Sequence, residues 1–202
     1  MDHLTESISQ DLCDEFVNIA HGHESGGGLN RVREMVGQYP ALVNAYNHSG
    51  DENALGAAAH MGDRSIVQFL LDKGATLDIA TAAMMGWRTK VNDFLNDDPA
   101  LARATGAHGH ALLYYVAQSG DTVMADMILE NGGGDGLKYP LKPLNTPSIF
   151  GAIYFGHLEM IQWFLDHDAD LTVQDYSKRT PLEVAIDLGH KEIADLLRNH
   201  IR

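Results

Sequence analysis

The chain has 202 residues, of which 45% are hydrophobic, and it carries 28 acidic against 14 basic side chains, for a net charge of −14. This charge argues against binding to nucleic acids or to anionic membrane surfaces, because both would repel the chain. It favours a basic protein, a cationic segment or a neutral ligand as the partner, although it also serves solubility.

The N-terminal residues lack the basic and apolar regions of a secretory signal, and no apolar run reaches the roughly 18 residues of a membrane span. The one cysteine, Cys13, cannot form a disulfide within the chain. It lies in an apolar stripe with Leu12 and Phe16, as a small core residue would. We therefore expect a cytoplasmic protein.

The first two pairs of helical segments occupy about 11–46 and 53–78. In the first pair, Leu12, Phe16 and Ile19 form an apolar stripe. The second pair is the clearest, because small residues lead to Gly62, whose conformational freedom permits a tight reversal. An apolar stripe of period 3.6 follows, and Gly74 is placed to end the helix in the left-handed conformation.

Similar pairs follow at about 79–104, 110–133, 146–171 and 180–200. The last pair opens with Thr180-Pro181, in which Pro suits a helix start and Thr a cap. A glycine separates the two helices of each pair, and the later ones recur at about 33 residues. These hinge glycines are Gly86, Gly120, Gly156 and Gly189.

One such pair cannot bury both of its faces, so consecutive pairs must stack. We predict an all-α solenoid of about six helix–turn–helix units with short hairpin tips, in which the terminal units act as caps. The predicted single domain covers residues 1–202. Its units lie at roughly 9–48, 49–77, 78–105, 106–143, 144–175 and 176–202.

The clearest copies read AAAHMGDRSIVQFLLDKGA from residue 57, GAIYFGHLEMIQWFLDHDADL from residue 151 and TPLEVAIDLGHKEIADLL from residue 180. These residues resemble the ankyrin-repeat family, whose repeat reads TPLHLAAxxGHxxIVxxLLxxGADxN. The weaker first and third units share a Pro-Ala-Leu ending at 40–42 and 99–101, similar to a variant of bacterial ankyrin proteins. The resemblance implies a non-enzymatic module that binds a protein or peptide through its concave face.

Three irregularities interrupt the repeat. Residues 75–79 leave no room for a hairpin. Residues 132–144 lengthen the link between the fourth and fifth units, and residues 21–28 widen the turn of the first unit. Neutral drift explains such changes, since loops tolerate insertion. The missing hairpin and the long loop also favour a shaped groove.

The resemblance implies that the two residues before each hinge glycine, together with the hairpin tips, contact the partner. Several are Met or aromatic residues, which give large and adaptable contact areas, although some could instead turn into the core. Asp51, Glu52, Ser177 and Lys178 would add a polar rim. The predicted partner-binding residues are His60, Met61, Met84, Met85, Trp87, His108, His110, Gln118, Tyr154, Phe155, Leu188 and Arg179.

Two other functions are open alternatives. One is a small-molecule or enzymatic pocket at the third and fourth units, using His60, Trp87, Tyr114 and His110. The other is assembly with a second copy, although we expect a monomer.

Metal binding and catalysis have little support in the sequence. The pairs His21-x-His23 and His108-x-His110 could share a metal, but no third ligand stands at a fixed spacing. The chain contains no nucleophile elbow, P-loop or dinucleotide motif. We therefore expect no metal, no cofactor and no catalytic residues.

Overall fold

A computed structural model describes residues 8–22, 28–137 and 146–201. Within these ranges the protein is all-α, with six consecutive helix pairs, two isolated β-bridges and no β-strand, as predicted. The chain divides into two compact units, Met1–Leu77 and Asp78–Arg202. Their boundary coincides with the predicted border between the second and third repeats. No helix in the described part of the chain is long and apolar enough to cross a membrane.

The first unit contains two helix pairs. Its helices are α1 (Gln10–Ala20), α2 (Gly28–Gln38), α3 (Ala54–Met61) and α4 (Arg64–Asp72). The α1 helix packs against α2 and α3, while α4 packs against α2 and α3. Phe16, Leu55 and Leu70 are fully buried in this core, and Cys13 is buried as predicted.

The reversal between α3 and α4 confirms the predicted hinge. Gly62 ends α3 with φ +71°, the left-handed conformation that glycine adopts at little cost. Asp63 then caps α4, with its side chain accepting a 2.9 Å hydrogen bond from the Ile66 N–H. Gly74, with φ +92°, follows the last turn of α4, also as predicted.

The second unit contains four helix pairs. Its helices are α5 (Ile79–Met84), α6 (Arg88–Asp97), α7 (Leu112–Ser119), α8 (Thr122–Glu130), α9 (Ile149–Tyr154), α10 (Leu158–Asp166), α11 (Pro181–Asp187) and α12 (Lys191–His200). The first helices α5, α7, α9 and α11 pack side by side in that order, and the second helices α8, α10 and α12 form a parallel row. Tyr115, Phe150 and Phe164 are fully buried between them.

The Pro-Ala-Leu endings form separate 3-10 helices rather than extensions of the α-helices. They span Pro40–Asn44 after α2 and Pro99–Arg103 after α6. Proline begins each because it lacks the N–H that an α-helix would need and its φ suits a helix start. Asp98 caps the second one, accepting a hydrogen bond from the Ala100 N–H at 3.0 Å.

Of the three irregularities, the structure describes one completely. Residues 75–78 lead to α5 without a turn or bridge, so the predicted loss of a hairpin is confirmed. Asp78 caps α5 instead, with its carboxylate accepting from the Thr81 N–H at 2.7 Å. Residues 23–27 of the first turn and 138–145 of the long link lie outside the described residues.

The last helix pair has the features of a terminal unit. Thr180 caps the start of α11, as predicted from the Thr-Pro motif, and Glu183 completes a capping box with it. In α12, Ile193 and Leu197 are buried, and one face is exposed as predicted. The exposed residues are Lys191, Glu192, Asp195 and Arg198.

Candidate binding face

The hinges of the second unit lie in register with one another. A Cβ on Gly120 would come within 2.7 Å of the His157 ring, and one on Gly156 within 3.0 Å of the His190 ring. Since these histidines each follow the hinge of the next repeat, equivalent positions form continuous rows along the unit. The residues directly before each hinge glycine are Met85, Ser119, Phe155 and Leu188, and we call them the hinge row.

The hinge row presents apolar side chains to solvent. Phe155 is 42% exposed and Leu188 is 46% exposed, while Met85 and Ser119 are half-buried. The Phe155 ring stacks on His157 with its centroid 6.5 Å away. In the first unit, Met61 holds the same position in its own repeat and is also exposed. An apolar row of this kind is typical of an interaction surface.

Two of the residues one position earlier are buried, and at these two the predicted map is wrong. Met84 is only 1% exposed, and Gln118 is also buried. Successive residues of a helix point about 100° apart, so Met84 and Gln118 face neighbouring helices while the residues after them are partly exposed. In the first unit, His60 is half-buried, with its ring 5.8 Å from that of the buried His21.

The two histidines predicted as contacts at the hairpin tip of the fourth repeat differ in exposure. His108 is exposed with φ +54°, whereas His110 is buried and stacks on Tyr114 at 4.8 Å. Burial lowers the pKa of His110 to about 4, although a hydrogen bond with the Thr146 backbone opposes the shift. His110 is therefore neutral at physiological pH and belongs to the core, so its assignment as a partner contact is wrong.

The residues of the predicted pocket do not all reach solvent. Tyr114 is buried, and burial raises the pKa of its phenol to about 12. Trp87 is half-buried at the start of α6. Packing of Tyr114 against His110 removes from the surface two of the side chains that the small-molecule alternative requires.

A buried carboxylate organises the hairpin that leads into the last repeat. Asp175 accepts hydrogen bonds from the Arg179 guanidinium at 2.7 and 3.0 Å and from the backbone N–H groups of Ser177 and Arg179 at 2.8 and 2.9 Å. Tyr154 donates its phenol proton to the same carboxylate at 3.2 Å. Burial opposes ionisation of Asp175, but these donors outweigh it, so the pKa of Asp175 lies below its ordinary value.

This network corrects the roles predicted for Tyr154 and Arg179. Tyr154 is half-buried and its phenol is held by Asp175, and burial raises its pKa above the ordinary value. Arg179 bridges Asp175 and Asp187, with the second contact at 3.2 Å. Both residues use their polar atoms within the protein, so they position the hairpin instead of offering charge or hydroxyl groups to a partner.

The same hairpin displays a residue that the sequence analysis missed. Tyr176 is 75% exposed, directly after the buried Asp175. Burial is the main cause of the raised pKa of Tyr114 and of Tyr154, and the Tyr176 phenol adds to both shifts. The available signal was its position at the hairpin tip, where Ser177 and Lys178, both exposed, were named as rim residues but Tyr176 was not.

The rim prediction also fails at one position of the first unit. Asp51 is exposed, but Glu52 is buried, with its Oε1 3.2 Å from Nε2 of His21. Burial removes a carboxylate from water, and an ion pair or hydrogen bond compensates for the lost hydration. Glu52 is therefore part of the interior of the hairpin.

Comparisons with known proteins agree with this architecture. Residues 113–202 match the family model for ankyrin repeats in three copies, and residues 51–82 match the model for the ankyrin repeat. Over 85 residues the chain is 34% identical to a protein of Oryza sativa subsp. japonica described as "Probable E3 ubiquitin-protein ligase XBOS33". That match covers 42% of this chain and 16% of the rice protein. Ankyrin repeats are in general protein–protein interaction modules and are typically non-enzymatic.

Proposed function

The chain belongs to the ankyrin-repeat family, and from this premise we propose that it is a non-enzymatic binding module whose hinge row and Tyr176 recognise a protein or peptide partner. The observation that carries the proposal is the exposure of Phe155, Leu188 and Tyr176 on one unit. Exposed apolar patches mark interaction sites, and tyrosine is prominent among the few residues that dominate binding energy at interfaces.

The site is preorganised, which supports a role in recognition. Asp175 and Arg179 fix the hairpin that carries Tyr176, and the packed helices α9 and α11 fix Phe155 and Leu188. A surface that is already ordered loses less conformational entropy when a partner binds.

The net charge of −14 favours a partner segment with basic residues around its apolar contacts. We further propose that the protein acts as a monomer in the cytoplasm. A homo-oligomeric role would instead use the hinge row against a second copy, and light scattering at high protein concentration distinguishes the two.

Affinity capture from the native cell lysate tests the proposal with matched variants. Phe155→Glu with Leu188→Glu places two charges in the hinge row. Val123→Glu with Ile201→Glu adds the same charge at apolar residues of similar exposure, 52% and 53%, outside the row.

A protein captured by the wild type and by the Val123/Ile201 variant, but lost from the Phe155/Leu188 variant, supports the proposed face. Equal capture by all three proteins contradicts it. Equal loss from both variants would show that added charge, wherever it lies, weakens the interaction.

A further inference from the structure

A groove in the first unit lies apart from the hinge residues described above. It has a volume of about 490 Å³ and lies between α2, the 3-10 helix Pro40–Asn44 and α4. Val36 and Val43 form a buried floor, and Phe69 is a half-buried wall. We call it the α2–α4 groove.

Two cations converge on the same aromatic ring of this groove. The Arg33 guanidinium carbon lies 5.6 Å from the Phe69 centroid, and the Lys73 ammonium lies 5.7 Å from it. Both distances fall within the range of a cation–π contact. Both cations line the groove, one contributed by α2 and the other by the end of α4.

Neither cation forms an ion pair with an acid within the described residues. The neighbouring Arg31 does so twice, with Glu15 at 3.0 Å and with Glu34 at 3.3 Å. Acids outnumber bases two to one in this chain, so an ion-pair partner for an exposed cation is easily available. Arg33 and Lys73, both exposed above the Phe69 ring, therefore make a local positive patch on an acidic protein.

The chemistry of the groove selects its ligand. An apolar floor and an aromatic wall favour a large apolar side chain, while Arg33 and Lys73 favour carboxylates beside it. The groove is partly open to solvent, whereas small-molecule sites enclose most of the ligand surface. We propose that the α2–α4 groove binds an acidic peptide segment that carries a large apolar side chain next to carboxylates.

Binding of synthetic peptides to the full-length protein tests this assignment by fluorescence anisotropy. The probe is a labelled peptide with a Leu-Trp centre flanked by Glu and Asp. One control peptide replaces the acids with Lys, and a second replaces the apolar centre with Ser. We expect the acidic apolar peptide to bind at least about tenfold more tightly than either control, and its affinity to fall as salt screens the charges.

Matched variants locate the site. Arg33→Glu with Lys73→Glu is expected to raise the Kd of the acidic apolar peptide at least about tenfold. Lys90→Glu with Lys191→Glu makes the same change in net charge at exposed positions of the second unit and is expected to leave most of the affinity. Circular dichroism confirms that both variants are folded.

Equal losses from the two double variants would overturn the assignment, because a general charge effect would explain them. Equal binding of the three peptides would also overturn it. Competition by octanoate at the concentration of the peptide would assign the groove to small carboxylates and contradict a peptide ligand. The Phe155→Glu with Leu188→Glu variant is expected to bind the peptide with the affinity of the wild type. The test of the groove is therefore independent of the proposal for the hinge row.

Discussion

The phenol oxygen of Tyr154 lies 3.2 Å from Oδ2 of Asp175, which joins the end of α9 to the hairpin before α11. Asp175 is fully buried and is also the acceptor for Arg179. The exposed Tyr176 is therefore attached to a hairpin that two neighbouring repeats hold in place. The proposed contact surface depends on residues that do not themselves face the partner.

Removing the carboxylate is expected to destabilise the second unit strongly. Asp175→Ala leaves Arg179 and two backbone N–H groups without their acceptor, and we expect a loss of about 3 kcal/mol in the free energy of unfolding. Tyr154→Phe removes a single hydrogen bond to a charged group and should cost about 1.5 kcal/mol. Urea denaturation measures both effects.

Tyr176→Phe is the control for that series, because Tyr176 is exposed and its substitution should leave stability unchanged. If the free energy of unfolding of Asp175→Ala lies within about 0.5 kcal/mol of that of the wild type, the network does not hold the hairpin.

Acid is expected to destabilise the second unit through His110. Burial keeps the folded-state pKa near 4, below the ordinary value of 6.5. Because the unfolded chain binds a proton first as pH falls, the stability associated with neutral His110 is complete above about pH 6.5 and is lost towards pH 4. The shift corresponds to about 3 kcal/mol.

Urea denaturation across this pH window tests the effect. His110→Gln cannot titrate, so its stability should depend less on pH than that of the wild type between pH 6.5 and 4. His48→Gln, at an exposed position, provides the comparison. Identical pH profiles for the wild type and His110→Gln would contradict the buried, neutral assignment.

Two glycine substitutions should have opposite effects on stability. A Cβ on Gly151 would lie 2.6 Å from the carbonyl oxygen of Tyr114, so Gly151→Ala must push α9 away from α7 and should cost about 2 kcal/mol. A Cβ on Gly37 would meet nothing within 4 Å, so Gly37→Ala in α2 should stabilise the protein by about 0.5 kcal/mol through helix propensity. Thermal unfolding gives both signs, and stabilisation by Gly151→Ala would refute the close approach of α7 and α9.

The repeat architecture could be read from the sequence because its signals are local. The hinge glycines must adopt left-handed φ, and they do so at 71–75° from Gly62 to Gly189. The apolar stripes and the Thr180 cap depend only on neighbours a few residues away. The predicted helix pairs therefore correspond to the observed ones.

The binding face was less predictable because it depends on contacts between repeats. Met84 and Met85 are adjacent and chemically identical, and only packing against the neighbouring helices makes the first a core residue. Arg179 resembled an exposed rim cation, since nothing in the sequence shows that Asp175 is buried beside it. His110 likewise acquires its role from stacking on Tyr114.

The hinge row is the surface on which we propose that a partner binds. The most direct test is to measure the Kd of a purified captured partner by isothermal titration calorimetry against the wild type, the Phe155→Glu with Leu188→Glu variant and the Val123→Glu with Ile201→Glu variant. We expect the hinge-row variant to raise Kd about a hundredfold or more and the control to stay within a few-fold of the wild type. A hinge-row variant that binds as tightly as the control would contradict this proposal.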